Sequence, residues 1–443
     1  MTENKKITVY GAGLAGCEAA WQAAKLGISV DLVEMKPEKY TPAHSSPLFS
    51  ELVCSNSLRA DNVTNAIGLL KEELRHLGSL IMEAAEESRV PAGGALAVDR
   101  VKFAQYVTDK ITSHPNINVI SREADSTVEG EISVIATGPL TSDPMANYIK
   151  NTLGFEGLHF FDAAAPIVDA ESINMDIAFK ASRYGKGDAD YINCPMNREQ
   201  YDRFYNELIN AREAELHDFD RESQKELTVF EGCMPVEIMA KRGYDTLRYG
   251  PLKPVGLEHP VTGESYYAVI QLRKENNEGT MYNLVGFQTH LAFPEQRRVF
   301  SMIPGLENAE FLRYGVMHRN TYMNSPQYLN ADYSARKHPD IFFAGQMTGV
   351  EGYIESCGSG FVAGVNAARR AMGLEPIIFD TATVIGAMAH YISHGGPSKF
   401  VPMNANFGII RPLEKKVKGG KNARNEAYAA RAVEIIDTYK LGE

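Results

Sequence analysis

The sequence predicts an α/β fold whose larger domain is assembled from both ends of the chain, with an α+β domain inserted between them. Three observations predict it. Near the N-terminus a strand-length apolar run, Lys6-Ile7-Thr8-Val9-Tyr10, leads into Gly11-Ala12-Gly13-Leu14-Ala15-Gly16. An Ala-rich helical stretch follows, then a second apolar run at 28–33 that ends in Glu34. Near the C-terminus Ile341-Phe342-Phe343-Ala344-Gly345 leads into a second glycine-rich loop and a small-residue helix. Between them, over residues 160–293, the alternation of strand and helix gives way to short strands and turn clusters.

The first element carries the most information. Strand, glycine turn, helix, strand and acid form a dinucleotide-binding fingerprint in the context it requires. Gly11 permits the tight turn, Gly13 lets the backbone approach a pyrophosphate, and Gly16 lets helix and strand pack closely. Ala12, Leu14 and Ala15 complete the loop and open the helix, whose free N–H groups suit an anion. Glu34 is placed to accept hydrogen bonds from an adenosine ribose and would repel a 2′-phosphate.

Past Glu34, Pro37, Pro42 and Pro47 punctuate a long loop that includes His44 and leads to Cys54. A long irregular loop at that place reads as functional. Residues 65–89 read as one amphipathic helix, with Leu69, Leu70, Leu74, Leu77, Leu80 and Ile81 at helical spacing. Residues 102–112 read as another helix, and 132–138 as an apolar strand ending in Ala-Thr-Gly. Within the insertion, strands are expected at 266–272 and 281–287, and a helix at 198–214.

The C-terminal loop, Gln346-Met347-Thr348-Gly349-Val350-Glu351-Gly352-Tyr353, precedes a helix expected at 354–372. This second strand–loop–helix element offers Gly345, Gln346, Gly349, Gly352 and Tyr353 to a ligand at a helix N-terminus. A dinucleotide site built from both chain ends is the FAD-binding, Rossmann-like arrangement of the glutathione-reductase type. Only one GxGxxG is present, so no dedicated nicotinamide domain is expected, and a nicotinamide would bind transiently over the flavin. The expected division is 1–159 for the first part of the FAD-binding domain and 160–293 for the insertion. Residues 294–443 make the second part, closed by a helical basic segment.

The chain has 443 residues, 44% hydrophobic and 23% charged, an ordinary composition for a globular protein. The N-terminus runs straight into a strand, so no signal peptide is expected, and no apolar segment reaches membrane-spanning length. A net charge of −11 argues against a general nucleic-acid binder but not against a local basic surface. Two islands stand out. One carries Arg411, Lys415, Lys416, Lys418, Lys421, Arg424 and Arg431 against Glu414 and Glu426; the other carries Lys241, Arg242, Arg248 and Lys253 against Asp245. Each reads equally as a face for a phosphate backbone or as a solvated surface.

Five cysteines, widely spaced and without a CxxC pair, point to reduced thiols in a cytoplasm and to no metal site. Two of them are candidates for chemistry. Residues 227–230 read as a strand, Gly232 turns the chain, and Pro235 suits the first turn of a following helix. Cys233 then falls at a helix N-terminus, where the dipole favours thiolate, with Glu231 and Glu237 opposing. Cys54 is its partner by loop position. Cys17, Cys194 and Cys357 are assigned to packing.

At these residues the chain resembles the folate/FAD-dependent tRNA (uracil-5-)-methyltransferases. The resemblance is carried by Gly11-Ala12-Gly13-Leu14-Ala15-Gly16, Thr41-Pro42-Ala43-His44, Val53-Cys54-Ser55-Asn56-Ser57 and the segment 90–100. It continues through Glu231-Gly232-Cys233-Met234-Pro235-Val236-Glu237, His318-Arg319-Asn320-Thr321-Tyr322, the loop 345–353 and Asn404-Ala405-Asn406-Phe407-Gly408, nearly the whole chain. Cys17 and Cys357 depart from it, standing where a smaller residue is expected.

The resemblance implies FAD, methylenetetrahydrofolate as carbon donor and NAD(P)H as reductant, with the T-loop uridine of tRNA as substrate. It assigns Cys233 to addition at uracil C6 and Cys54 to acid–base work beside the flavin, the reverse assignment being the alternative. It leaves oligomeric state open. Competing readings are a paralogue that methylates a ribosomal RNA uridine and an FAD-dependent thiol oxidoreductase without a nucleic-acid substrate. A sister flavoenzyme of wobble uridines carries a long C-terminal extension, and the end of this chain at Glu443 disfavours it.

Overall fold

The computed structural model describes residues 5–155, 157–163, 165–185, 188–214, 234–276, 278–315, 317–395, 400–415 and 417–443, with backbone alone at 157–163 and 317–321. The strand Lys6–Tyr10 lies inside a six-stranded sheet. Ser29–Glu34 and Ile117–Ser121 extend the sheet on one side, and Ile132–Ile135, His338–Phe343 and Ser334–Ala335 on the other. All neighbours run parallel except the closing pair, Ser334–Ala335 with His338–Phe343. Parallel strands covered on both faces need apolar runs, and Ile7, Val9, Leu32 and Val134 are fully buried here. His338–Phe343 pairs directly with Ile132–Ile135, so the two chain ends share one sheet.

The helices Leu14–Lys25 and Tyr353–Met372 pack side by side on this sheet. Their contact is backbone to backbone. A Cβ added to Gly360 would sit 2.2 Å from the carbonyl oxygen of Ala15, and one on Gly364 2.4 Å from that of Ala19. Helix separation follows the side chains at the contact, and here there are almost none.

Residues 65–89 form two helices, not the single one the leucine spacing suggests. Ala66–His76 ends at Leu77, Gly78 takes a left-handed φ of +73°, and Ser79 caps Leu80–Glu87 by accepting from the Met82 N–H. The apolar spacing runs on through the break because Leu77 and Leu80 are both buried, so periodicity alone hides it. Arg100–Ser113 starts two residues before the expected position because Asp99 accepts from the Val101 and Lys102 N–H groups. Arg198–Asn210 opens on a capping box of Asn197 and Gln200 and stops short of 214, where Ala211 is extended.

A second six-stranded sheet is wholly antiparallel, in the order Phe179–Lys180, Tyr191–Met196, Ala268–Lys274, Met281–Leu284, Ile167–Asp169 and Phe311–Arg313. Relative to expectation the third strand lies two residues later and the fourth ends at 284. Tyr201, Phe204, Phe287 and Phe300 fill the core beneath the helices Arg198–Asn210 and Phe293–Phe300. Met317–Met323 pairs antiparallel with Gly157–Ala163. Among the described residues no helix is long and apolar enough to cross a membrane.

The helix contact yields a paired prediction. At Gly358 a Cβ meets nothing nearer than Leu70 Cδ1 at 3.7 Å. Gly358→Ala should therefore stabilise the chain by about 0.5–1 kcal/mol in urea unfolding, through helix propensity alone. Gly360→Ala, two residues on, should destabilise it by about 1–3 kcal/mol because backbone must move. Equal stability of the two variants would contradict the close approach.

Candidate active site

A cavity of about 390 Å³ opens where the parallel strands end. Ligands of open α/β sheets bind at that edge, because the loops leaving the strands diverge there. Its walls bring together Gly11, Ala12, Gly13, Leu14 and Ala15 from the first loop, Glu34 and Cys54 from the next stretch, and Gly345, Gln346, Gly352 and Tyr353 from the C-terminal loop. Gly16 and Gly349 stand behind the wall. A Cβ on Gly16 would lie 1.7 Å from the Gly11 oxygen, and one on Gly349 2.4 Å from the Phe400 ring. Cys233, with Glu231, Gly232 and the strand expected at 227–230, lies outside the described residues.

The first loop suits a dinucleotide. Gly11 turns with a φ of +97°, and the space a Cβ on Gly13 would enter is empty to 4 Å. The helix Leu14–Lys25 begins at Gly13 with no side-chain cap and no acid in its first turn, so its end is left to an anion. Glu34 is already oriented. Its carboxylate accepts from the Ala12 N–H at 2.7 Å and the Lys36 N–H at 3.0 Å, tying the loop to the end of the second strand. A ribose hydroxyl at that position would meet a carboxylate whose direction is fixed.

The second helix start is different. Tyr353–Met372 carries Glu355 in its first turn, and the Glu355 Oε2 lies 2.2 Å from the place of a Gly352 Cβ. Glu355 also accepts from the Ala405 N–H at 3.0 Å and faces Arg59 Nη1 at 3.7 Å. Burial raises its pKa, opposed first by Arg59. Unlike the first helix, this one therefore has an acidic side chain of the chain's own at its start.

Cys54 sits under the Tyr353 hydroxyl. That oxygen accepts from the Cys54 N–H at 2.8 Å and the Ser55 N–H at 3.3 Å, and lies 2.9 Å from Cys54 Sγ. With two N–H groups as donors to it, the hydroxyl has its own proton to give to sulfur. Burial pushes the Tyr353 phenol well above its ordinary pKa, so it stays a donor across the neutral range. The pair can hold and pass a proton.

The loop bearing Cys54 is clamped from the second sheet, where no motif marks Arg273 or Glu275. Arg273, on the strand Ala268–Lys274, donates from Nε to Asn56 Oδ1 at 3.0 Å and from Nη2 to Ser55 Oγ at 2.7 Å. Asn56 Nδ2 returns to the Lys274 carbonyl at 2.8 Å. Arg100 donates to the Leu52 carbonyl at 2.8 Å and pairs with buried Glu275 at 2.6 Å. Burial works against the Arg100 charge, but Glu275, Tyr353 and Cys54 outweigh it and raise its pKa. Arg59, also unforeseen, lines the cavity with a left-handed φ of +67°.

The other described cysteines are buried. Cys17 donates to the Ala12 carbonyl at 3.3 Å, and burial pushes its pKa up to about 12. Cys357 donates to Glu18 Oε2 at 3.5 Å, and burial raises it well above the ordinary range, as it does Cys194. Among the described residues no group of three or more His, Cys, Asp or Glu could hold a metal ion.

Against known proteins, residues 6–375 match the family described as GIDA, glucose inhibited division protein A. The chain is 59% identical over 433 residues to the methylenetetrahydrofolate--tRNA-(uracil-5-)-methyltransferase TrmFO of Acetivibrio thermocellus, covering 98% of each chain. It is 58% identical over 440 residues to the protein of the same name from Lactobacillus delbrueckii subsp. bulgaricus, covering 99% of each. Aquifex aeolicus GidA, in its form II crystal, has a similar fold, with a TM-score of 0.69 at 17% identity, over 100% of this chain and 74% of that one.

Exposure and pKa direction together predict thiol reactivity. In the native protein at pH 8, iodoacetamide should label the half-exposed Cys54, while Cys17, Cys194 and Cys357 should label only after unfolding, as read by peptide mass mapping. Native labelling of Cys357 would show its surroundings to be open.

Proposed function

The chain belongs to the glucose inhibited division protein A family, among its methylenetetrahydrofolate--tRNA-(uracil-5-)-methyltransferases, and from that premise we propose that it methylates C5 of the T-loop uridine in tRNA. Methylenetetrahydrofolate is the carbon donor and NAD(P)H the reductant. FAD would be held in the cavity shared by the two chain ends, by Gly11, Ala12, Gly13, Leu14 and Ala15 at its pyrophosphate, Glu34 at its ribose, and Gly345, Gln346, Gly352 and Tyr353 toward its ring. Gly16 and Gly349 shape the walls from behind. One observation above all supports this reading: a thiol, Cys54, opens onto a cavity lined by the first glycine loop and Glu34, with a proton donor 2.9 Å from its sulfur.

Uracil C5 is a weak nucleophile until a thiolate adds at C6 and makes an enolate. Cys233 performs that addition in this reading. It stands three residues ahead of Val236, whose N–H donates to the Gln288 carbonyl at 2.7 Å, and Gln288 lines the cavity. C5 then attacks the methylene carbon of the folate. Cys54, with the Tyr353 hydroxyl donating to its sulfur, takes the C5 proton as the bond from the methylene carbon to the folate nitrogen breaks, so that tetrahydrofolate leaves and an exocyclic methylene remains on C5. FAD, when bound and reduced by NAD(P)H, would supply a hydride to that methylene, and Cys233 leaves as the ring double bond reforms. The uridine has to leave its stack to reach this depth, as bases do for other enzymes that work on them.

The yellow protein incubated with NAD(P)H, methylenetetrahydrofolate and tRNA lacking the mark should produce 5-methyluridine in the T-loop. Product in ribosomal RNA instead, or oxidation of NADH with no product, would overturn the reading. Cys233→Ala should abolish the covalent adduct with 5-fluorouracil-containing tRNA. Cys54→Ala should keep the adduct and lose about 10²–10⁴-fold in turnover, the usual worth of an acid–base group. The opposite pattern would exchange the two roles.

A further inference from the structure

Of the two basic islands, one is partly neutralised at the surface. Lys241 pairs with Glu213 at 2.7 Å, and Arg248 pairs with Asp245 while its guanidinium lies 3.6 Å from the Tyr267 ring centre. The other is not. Arg411 faces Asp380 at 3.3 Å, and Arg431 donates to the Pro412 and Arg411 carbonyls, so these two hold the C-terminal segment in place. Lys415, Lys418, Lys421 and Arg424 are exposed and make no ion pair among the described residues. Among the described residues Arg424 lies only against the Asn425 amide oxygen, at 3.4 Å.

This segment is joined to the cavity rim at two places. Asn425, on the helix Gly420–Ile436, donates to the Thr64 carbonyl at 2.8 Å, five residues from the cavity-lining Arg59. The Tyr428 ring, one turn further on, lies 5.5 Å from Phe407, and Ala405 beside it donates to the cavity-lining Glu355. The segment that carries the cations is therefore tied to residues that adjoin the cavity lining, on a chain whose net charge is −11. A polyanion repelled by most of the surface is drawn to this face.

We propose that Lys415, Lys418, Lys421 and Arg424 form the surface on which RNA lies, meeting phosphates of the helical arm that flanks the extruded uridine. This rests on the proposed activity for its choice of polyanion. The arm crosses the start of the helix Gly420–Ile436 while the uridine passes Arg59 into the cavity. Phosphate contacts of this kind position the nucleic acid and carry no sequence preference.

The test is direct binding of unmodified tRNA to the flavin-loaded protein across a salt series. Lys418→Glu, Lys421→Glu and Arg424→Glu combined should weaken binding at least 10-fold at about 0.1 M salt and reduce the log–log salt slope by about 2–3, roughly one per phosphate contact removed. Flavin content and NADH oxidation without RNA should not change. Lys241→Glu with Lys253→Glu should shift binding less than about 3-fold. A triple variant that binds tRNA as tightly as wild type, or a larger loss from the second pair, overturns the proposal. A wild type that binds tRNA through this surface yet makes no 5-methyluridine would sink the activity and leave the surface standing.

Discussion

Two helices that touch through their backbones hold the site together. Leu14–Lys25 belongs to the first strand–helix unit and Tyr353–Met372 to the last, more than three hundred residues later in the chain. Because Gly360 and Gly364 carry no side chain toward Ala15 and Ala19, the loops that precede these helices converge on one cavity. A methyl group in that seam would move one loop relative to the other, and the ligand-facing groups would separate with them. The tight seam is a structural requirement whose consequence is functional.

A second constraint comes from the antiparallel sheet. Arg273 and Lys274 reach the Cys54 loop, and Glu275 fixes Arg100 against Leu52. The thiol thus sits between Tyr353 from the C-terminal half and a guanidinium clamp from the antiparallel sheet. Buried charge of this kind is costly unless paired, and here each arginine finds acceptors in the loop it holds. The arrangement positions one sulfur with little freedom, as proton transfer over short distances requires.

The parallel sheet, the glycine loop and the return of the C-terminal strand were all legible in the sequence. Each depends on local signals: an apolar run of strand length, glycines at fixed spacing, an acid at a strand end. Cys54 was legible through its place in a long loop. What was not legible is what depends on distant partners. Nothing in the strand around Arg273 announces that it grips Asn56, 217 residues away. Gly78 was hidden because buried leucines continue across it. The second helix start resembles the first in sequence and differs in having Glu355 beneath Gly352, a matter of side-chain direction that spacing does not encode. The two basic islands looked alike as compositions; only their partners separate them.

One cavity, walled by both chain ends, would place a flavin ring against the Cys54 loop. A crystal structure of the FAD-loaded chain tests this most directly. The account predicts the pyrophosphate at the first turn of Leu14–Lys25 and the isoalloxazine in van der Waals contact, about 3.5–4 Å, with Cys54 or the Tyr353 ring. A ring bound elsewhere, with Cys54 still covered by the Tyr353 hydroxyl and out of its reach, would contradict it.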